Sequence, residues 1–304
     1  MGRIARFVPV MVLLLCLVPG LSPRAEHSAN LRPRPELLVR ADWLAENLEW
    51  PRLRVVDLRA PRQFDKGHIP GAVNMPVTRL RTTRDGIPGM LPPPEQVQAA
   101  FRRAGIRGDS IVVGYGNGNG LHAARLFWAL ERMGHQGGRV LDGGWPGWLG
   151  EGRPLSRGAA AVEPSALVLT PRPERVADLA WMRAHLQDGK TAIVDARSPE
   201  EYDGRARYAR RAGHIPGARL FHWTRHIDPA RPPHLRPLAG LGQAYRELGL
   251  VPAQEIVVYC QSLMRASHSY FVLRMLGYPH VRGYDGSWAE WGNRTDTPVA
   301  TGTK

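Results

Sequence analysis

Ile193-Val194-Asp195-Ala196-Arg197, followed by Gly213-His214-Ile215-Pro216-Gly217-Ala218, decides the reading of this chain, because both stretches occur twice. Upstream, Val55-Val56-Asp57-Leu58-Arg59 precedes Gly67-His68-Ile69-Pro70-Gly71-Ala72. Downstream, Asp285-Gly286-Ser287-Trp288 with Trp291 repeats Asp142-Gly143-Gly144-Trp145 with Trp148, and Trp181 repeats Trp43. The aspartates are 138 residues apart and the glycine-histidine turns 146, so the second copy carries eight extra residues between its motifs. A period this long describes two whole domains rather than a solenoid. The copies run over about 36–156 and 172–300, joined by an Ala/Pro/Gly-rich linker at about 157–171.

Each copy alternates short apolar runs with helical patterns. Arg54 to Leu58, Ala192 to Ala196, Ile111 to Val113 and Ile256 to Tyr259 read as buried parallel strands. The last two lead through a loop into helical patterns at Ala123 to Met133 and at Ala266 to Leu276, the second closed by Gly277. The fold class is therefore α/β, each domain a parallel sheet flanked by helices.

Composition limits the function. In 304 residues, 43% hydrophobic and 22% charged, Lys+Arg is 41 against Asp+Glu 27, a net charge of +14. That surface favours anions. The arginines are scattered, and neither zinc-finger spacing nor a basic zipper is present, so nucleic acid is not the expected partner. A small anion is. The start of the chain reads as a targeting signal: Arg3 and Arg6, then the apolar run Phe7 to Val18, interrupted by Pro9 and too short to span a bilayer. A cleaved signal over 1–25, export to the periplasm and no stable membrane association follow, with a retained anchor as the alternative. Leu15 before Cys16 argues against a lipoprotein. With the signal removed Cys260 is the single cysteine, so no internal disulfide forms, and a monomer is expected.

Ligands of open α/β sheets bind beyond the carboxyl ends of the strands. Cys260 stands at such an end, in the loop Cys260-Gln261-Ser262-Leu263-Met264-Arg265, with a helix expected from about Ala266. Successive loop amides, the positive end of that helix and the charge of Arg265 all favour thiolate over thiol. Cys260 is therefore the candidate nucleophile rather than an inert buried cysteine. The first copy has Gly116-Asn117-Gly118-Asn119-Gly120 there, with no nucleophile. That glycine-rich turn lacks the spacing and lysine of a nucleotide-binding loop, so it reads as a silent counterpart.

Together, Asp195-Ala196-Arg197, the Gly213 to Ala218 turn, the Cys260 to Arg265 loop and Asp285-Gly286-Ser287-Trp288 with Trp291 resemble the two-domain rhodanese sulfurtransferases, over nearly all of the chain past the signal. The resemblance implies two tandem rhodanese-like domains, the first catalytically silent. It implies that Cys260 takes the outer sulfur of an anionic donor such as thiosulfate as a persulfide and passes it to cyanide or a thiol. Arg265, Gln261, Ser262, Leu263 and Met264 would line the donor site. Asp195, Arg197, Arg211 and Trp288 would support it. No metal or organic cofactor is required.

Loop details narrow the class. Cysteine phosphatases place arginine six residues after the cysteine, where this chain has Ala266, so phosphatase or arsenate reductase is the weaker reading. Cys260-Gln261 with a lone terminal Arg265 looks like the bacterial thiosulfate branch. A 3-mercaptopyruvate sulfurtransferase and a non-turnover sulfur-relay protein are the alternatives. One departure is an acidic stretch, Ser198-Pro199-Glu200-Glu201, where some members carry a substrate arginine; Arg205, Arg207, Arg210 and Arg211 are the candidates to replace it. His68 and His214 read as structural because the turn that holds them is present in the silent copy, where Asp57 and Trp145 likewise repeat Asp195 and Trp288. His222 and His226, four apart, lack a third ligand for a metal site.

Overall fold

The computed structural model describes residues 1–2, 31–158 and 162–302. The apolar run read as a signal, with Cys16, lies outside the described residues. Among those described, no helix is long and apolar enough to cross a membrane.

The first domain comprises β1 (Leu38–Val39), α1 (Ala41–Glu46), β2 (Leu53–Asp57), α2 (Pro61–Lys66), β3 (Val73–Asn74), β4 (Thr82–Arg84), β5 (Ile87–Met90), α3 (Pro94–Arg103), β6 (Ile111–Tyr115), α4 (Leu121–Arg132), β7 (Gly138–Leu141) and α5 (Gly144–Gly150). The second comprises β8 (Val176–Ala177), α6 (Leu179–His185), β9 (Thr191–Asp195), α7 (Pro199–Asp203), β10 (Arg219–Leu220), α8 (Leu238–Glu247), β11 (Glu255–Tyr259), α9 (Met264–Met275), β12 (Val281–Tyr284) and α10 (Ser287–Trp291).

Both domains build the same five-stranded parallel sheet. Its order is β1-β7-β6-β2-β3 in the first and β8-β12-β11-β9-β10 in the second. The register matches as well: Asp57 pairs with Tyr115, and Asp195 with Tyr259. The central strands are apolar because helices cover both faces. Local chemistry sets several helix starts. Pro61, Pro94 and Pro199 open α2, α3 and α7, where the missing amide hydrogen costs no helical bond. Ser198 and Glu201 close a reciprocal capping box at α7.

The two sheets do not bury their faces alike. The outer face of each has a private core, Val55, Val113 and Trp148 in the first domain, Ile193, Val257 and Trp291 in the second. The inner faces merge. Leu126, Phe127 and Leu130 of α4 and Tyr270, Phe271 and Leu273 of α9 belong to one continuous core that runs across the domain boundary. Phe127 meets Phe271 edge-on at 5.1 Å between ring centres. Arg125, fully buried on α4, bonds the carbonyls of Leu80 and Gly89 and reaches Asp285 of the second domain at 3.4 Å. The hairpin β4–β5 leaves the first domain and rests on the second, where the Leu91 amide donates to Asp285 at 2.9 Å.

Candidate active site

Cys260 directly follows β11 and is almost wholly buried. The chain then turns sharply, with Leu263 in the left-handed region (φ +55°), and α9 begins at Met264. This start lies two residues before the expected one. The left-handed turn at Leu263 reverses the chain early, and Met264 and Arg265 are good helix formers, so both belong to the first helical turn rather than to the loop. The amides of Gln261, Ser262, Met264 and Arg265 donate to no other group among the described residues. They stand at the positive end of α9, beside the sulfur-bearing residue.

The rest of the loop is pinned by Ser287. Its hydroxyl oxygen accepts the amides of Leu263 at 3.0 Å and of Cys260 at 3.4 Å, and its proton goes to the Tyr284 carbonyl at 2.8 Å. The Trp288 amide donates to the Cys260 carbonyl at 2.9 Å, and that of Ala289 to Gln261 at 2.9 Å. The same bond runs from Trp145 to Gly116 at 2.9 Å, so Gly116 occupies the place of Cys260 in the first domain. Ser287 was missed as a site residue. Its signal was the single difference between Asp142-Gly143-Gly144-Trp145 and Asp285-Gly286-Ser287-Trp288.

Below the loop, Asp195 takes the Arg197 guanidinium on both oxygens (2.6–3.1 Å), and the Tyr259 hydroxyl donates to it at 2.5 Å. Arg197 also bonds the Gly213 carbonyl and lies 4.4 Å over the Trp288 ring. Burial works against the Arg197 charge; Asp195 outweighs it and raises its proton affinity. Asp57, Arg59 and Trp145 repeat the arrangement in the first domain. Asp195, Arg197 and Trp288 therefore form a lock that orients Tyr259 and the turn. His68 and His214 also serve packing, stacked on Phe64 and Tyr202 at 3.7 and 3.6 Å.

Arg265 is committed more deeply than its expected role as the donor's anchor implies. Its guanidinium forms a two-pronged pair with Glu201, at 2.5 and 2.8 Å. Burial opposes the charge, while Glu201 and the adjacent Cys260 outweigh it and raise its proton affinity. In turn burial pushes Glu201 up and Arg265 pulls it down further, so it stays ionised. The acidic stretch noted in the sequence thus places a carboxylate on the loop's own arginine. Gln261 reaches outward, its amide nitrogen bonded to the Tyr208 carbonyl at 3.0 Å. Ser262 and Met264 are half-exposed at the rim, and Leu263 is buried beneath it.

Two of the four candidate replacement arginines are occupied, while Arg207 is exposed and pairs with no carboxylate among the described residues. Arg211 bonds the Trp291 carbonyl and both oxygens of Thr297, tying the insertion to the C-terminal turn. Arg205 pairs with Asp203 and Glu200. Arg210 lines a cavity of about 390 Å³ with Asp85, Glu290 and Arg294. A larger cavity of about 520 Å³, lined by Arg84, Trp128, Arg132 and Asp285 among others, lies along the domain seam and stops short of Cys260. His226 is buried against His268 (3.0 Å) and Tyr245 (2.7 Å), while His222 bonds Thr224. Among the described residues no group of three side chains is placed to hold a metal.

With this geometry in view, the family model of the rhodanese-like domain matches residues 40–151 and again 178–294. The chain belongs to the rhodanese family. This rhodanese is 40% identical to a thiosulfate sulfurtransferase of Azotobacter vinelandii, over 87% of this chain and 97% of that one. It is 38% identical to the sulfur carrier protein TtuD of Thermus thermophilus, over 88% and 98%. A crystal structure of the Escherichia coli 3-mercaptopyruvate sulfotransferase SseA superposes with a TM-score of 0.74 at 30% identity, covering 83% of this chain and 98% of that one. The two tandem rhodanese domains are the architecture expected from the duplicated motifs.

Proposed function

We propose that this rhodanese is a thiosulfate sulfurtransferase in which Cys260 carries the sulfur. The Cys260 thiolate attacks the outer sulfur of thiosulfate. A new S–S bond forms, the bond to the sulfonate sulfur breaks, and its electron pair leaves with sulfite. The persulfide anion is met by the unengaged amides of Gln261, Ser262, Met264 and Arg265 and by the positive end of α9. Cyanide or a thiol then takes the terminal sulfur and returns the thiolate. Those four open amides around a lone cysteine carry the proposal. The Azotobacter relative's name supports thiosulfate as donor.

Intact mass after incubation with thiosulfate tests it. A gain of one sulfur atom is expected, lost on adding cyanide and absent in Cys260→Ala. No gain with thiosulfate, against a gain with 3-mercaptopyruvate, would replace the donor. No gain with either would overturn the sulfurtransferase reading.

Export to the periplasm is also proposed, on Arg3, Arg6 and the run Phe7 to Val18. Cell fractionation, with the N-terminus of the mature protein read by mass, tests it; full-length protein in the cytosol would overturn it.

A further inference from the structure

The proposed donor is a dianion, and the loop's own arginine is already neutralised by Glu201. Of the arginines in the insertion, Arg205 and Arg211 are held elsewhere. Arg207 and Arg210 are exposed and pair with no carboxylate among the described residues, and a further cation comes from the other domain. At Gly89, φ +82°, the hairpin passes so close to the catalytic loop that a β-carbon there would lie 2.8 Å from Ser262 Cβ and 3.1 Å from Ser262 Oγ. The same point is 3.3 Å from Nη2 of Arg81. Arg81 Nη2 and Ser262 Oγ therefore lie no more than about 6.4 Å apart, and any side chain at Gly89 would strike Ser262. Arg125 fixes the position by donating to the Gly89 carbonyl at 3.1 Å.

Arg81 is exposed and takes no carboxylate partner among the described residues. Its charge is felt locally: after burial itself, Arg81 is a further cause that lowers the proton affinity of His122, and after burial and Asp285 it does the same to Arg125. An unneutralised guanidinium with five donors, near the Ser262 side chain of the Cys260 loop, suits a sulfonate group.

We propose that Arg81, supplied by the catalytically silent domain, binds the sulfonate end of the donor against Ser262 and so sets the enzyme's affinity for anionic donors. This rests on the sulfurtransferase reading for its substrate, but not for its electrostatics.

Two measurements separate them. The first is the alkylation rate of Cys260 by iodoacetate divided by that by iodoacetamide, in wild type, Arg81→Gln, Arg81→Lys and Arg207→Gln. The anionic reagent senses the field at Cys260 whether or not sulfur transfer occurs. Arg81→Gln is expected to lower the ratio at least about threefold, with Arg81→Lys retaining most of it and Arg207→Gln close to wild type. The second is single-turnover persulfide formation. Arg81→Gln is expected to raise the half-saturating thiosulfate concentration by about tenfold or more, leaving discharge of a preformed persulfide by a neutral thiol within about twofold. An unchanged alkylation ratio in Arg81→Gln, or a larger loss in Arg207→Gln, overturns the proposal. Should the ratio fall while no variant forms persulfide, Arg81 stands as the site's cation and the sulfurtransferase reading fails.

Discussion

Ser287 and Gly144 hold the same left-handed backbone, φ +50° and +52°, at matching places in the two domains. Glycine adopts that conformation freely, whereas serine loses about 1 kcal/mol. The second domain keeps serine there because its hydroxyl receives the Cys260 and Leu263 amides. Ser287→Gly is expected to change stability by less than about 1 kcal/mol, since relief of strain offsets the lost bonds. It should nonetheless slow persulfide formation about tenfold or more, because the loop amides lose their alignment. Ser287→Ala keeps the strain and loses the bonds, so it should be both slower and less stable by about 1–2 kcal/mol. Denaturant titration and single-turnover kinetics on both variants check this; wild-type rates in both would show that the hydroxyl does not hold the loop.

Arg125 crosses the domain boundary fully buried, and Asp285 answers it. Burial lowers the proton affinity of Arg125, with Asp285 opposing. Arg125→Met removes one partner and strands the other, so a loss of about 3–5 kcal/mol is expected. Asp285→Asn should cost a comparable amount, because one amide oxygen cannot accept from both Leu91 and Arg125 and the fully buried guanidinium loses its counter-charge. A loss below about 1 kcal/mol in either variant, measured by urea unfolding, would contradict this.

The pair His226 and His268 makes stability depend on pH. Burial lowers His268 to about 4, and burial, then the neighbouring His268, hold His226 well below the ordinary histidine value. Both rings are neutral when folded, one Nδ1 donating to the other at 3.0 Å. In the unfolded chain they gain protons below about pH 6.5, so their contribution is complete above that pH and is lost as pH falls toward 4. The slope should approach about 1.4 kcal/mol per pH unit for each histidine. His268→Gln is expected to flatten it. A melting temperature with the same acid slope in wild type and variant would rule the pair out as the source.

Glu201 joins two tasks: it caps α7 through Ser198 and holds Arg265. Glu201→Gln keeps the cap's shape but removes a half-buried ion pair. A stability loss of about 1–2 kcal/mol is expected, together with a lower half-saturating thiosulfate concentration because Arg265 is no longer neutralised. Weaker thiosulfate binding in this variant would mean that Glu201 serves to aim Arg265 rather than to mask it.

The duplication, the parallel sheets and the position of Cys260 were legible because each is written in contiguous residues: an apolar run, a loop, a helical pattern. The residues that shape the site were less so. Glu201 was visible as an acidic residue in an odd place, but its meaning depends on Arg265, which reaches it only when β9 and β11 lie side by side. Arg81 and Gly89 sit in the domain read as silent, and nothing local marks them as neighbours of Ser262. Arg211 was a reasonable candidate by charge; its carbonyl partners lie 80 residues and more away. The early start of α9 followed from a left-handed leucine, which no propensity scale favours.

The merged inner core has a consequence for folding. Asp142 receives the Leu235 amide at 3.0 Å just as Asp285 receives that of Leu91, so each half completes the other. Neither half, expressed alone, has a partner for the apolar faces of α4 or α9. The molecule is thus built as a tethered pseudo-dimer; it is expected to melt as one cooperative unit, and its halves, mixed as separate polypeptides, should find each other. Such a tether relaxes symmetry: with the halves bound to meet, Gly116 can stand in one where Cys260 stands in the other without loss of the shared core.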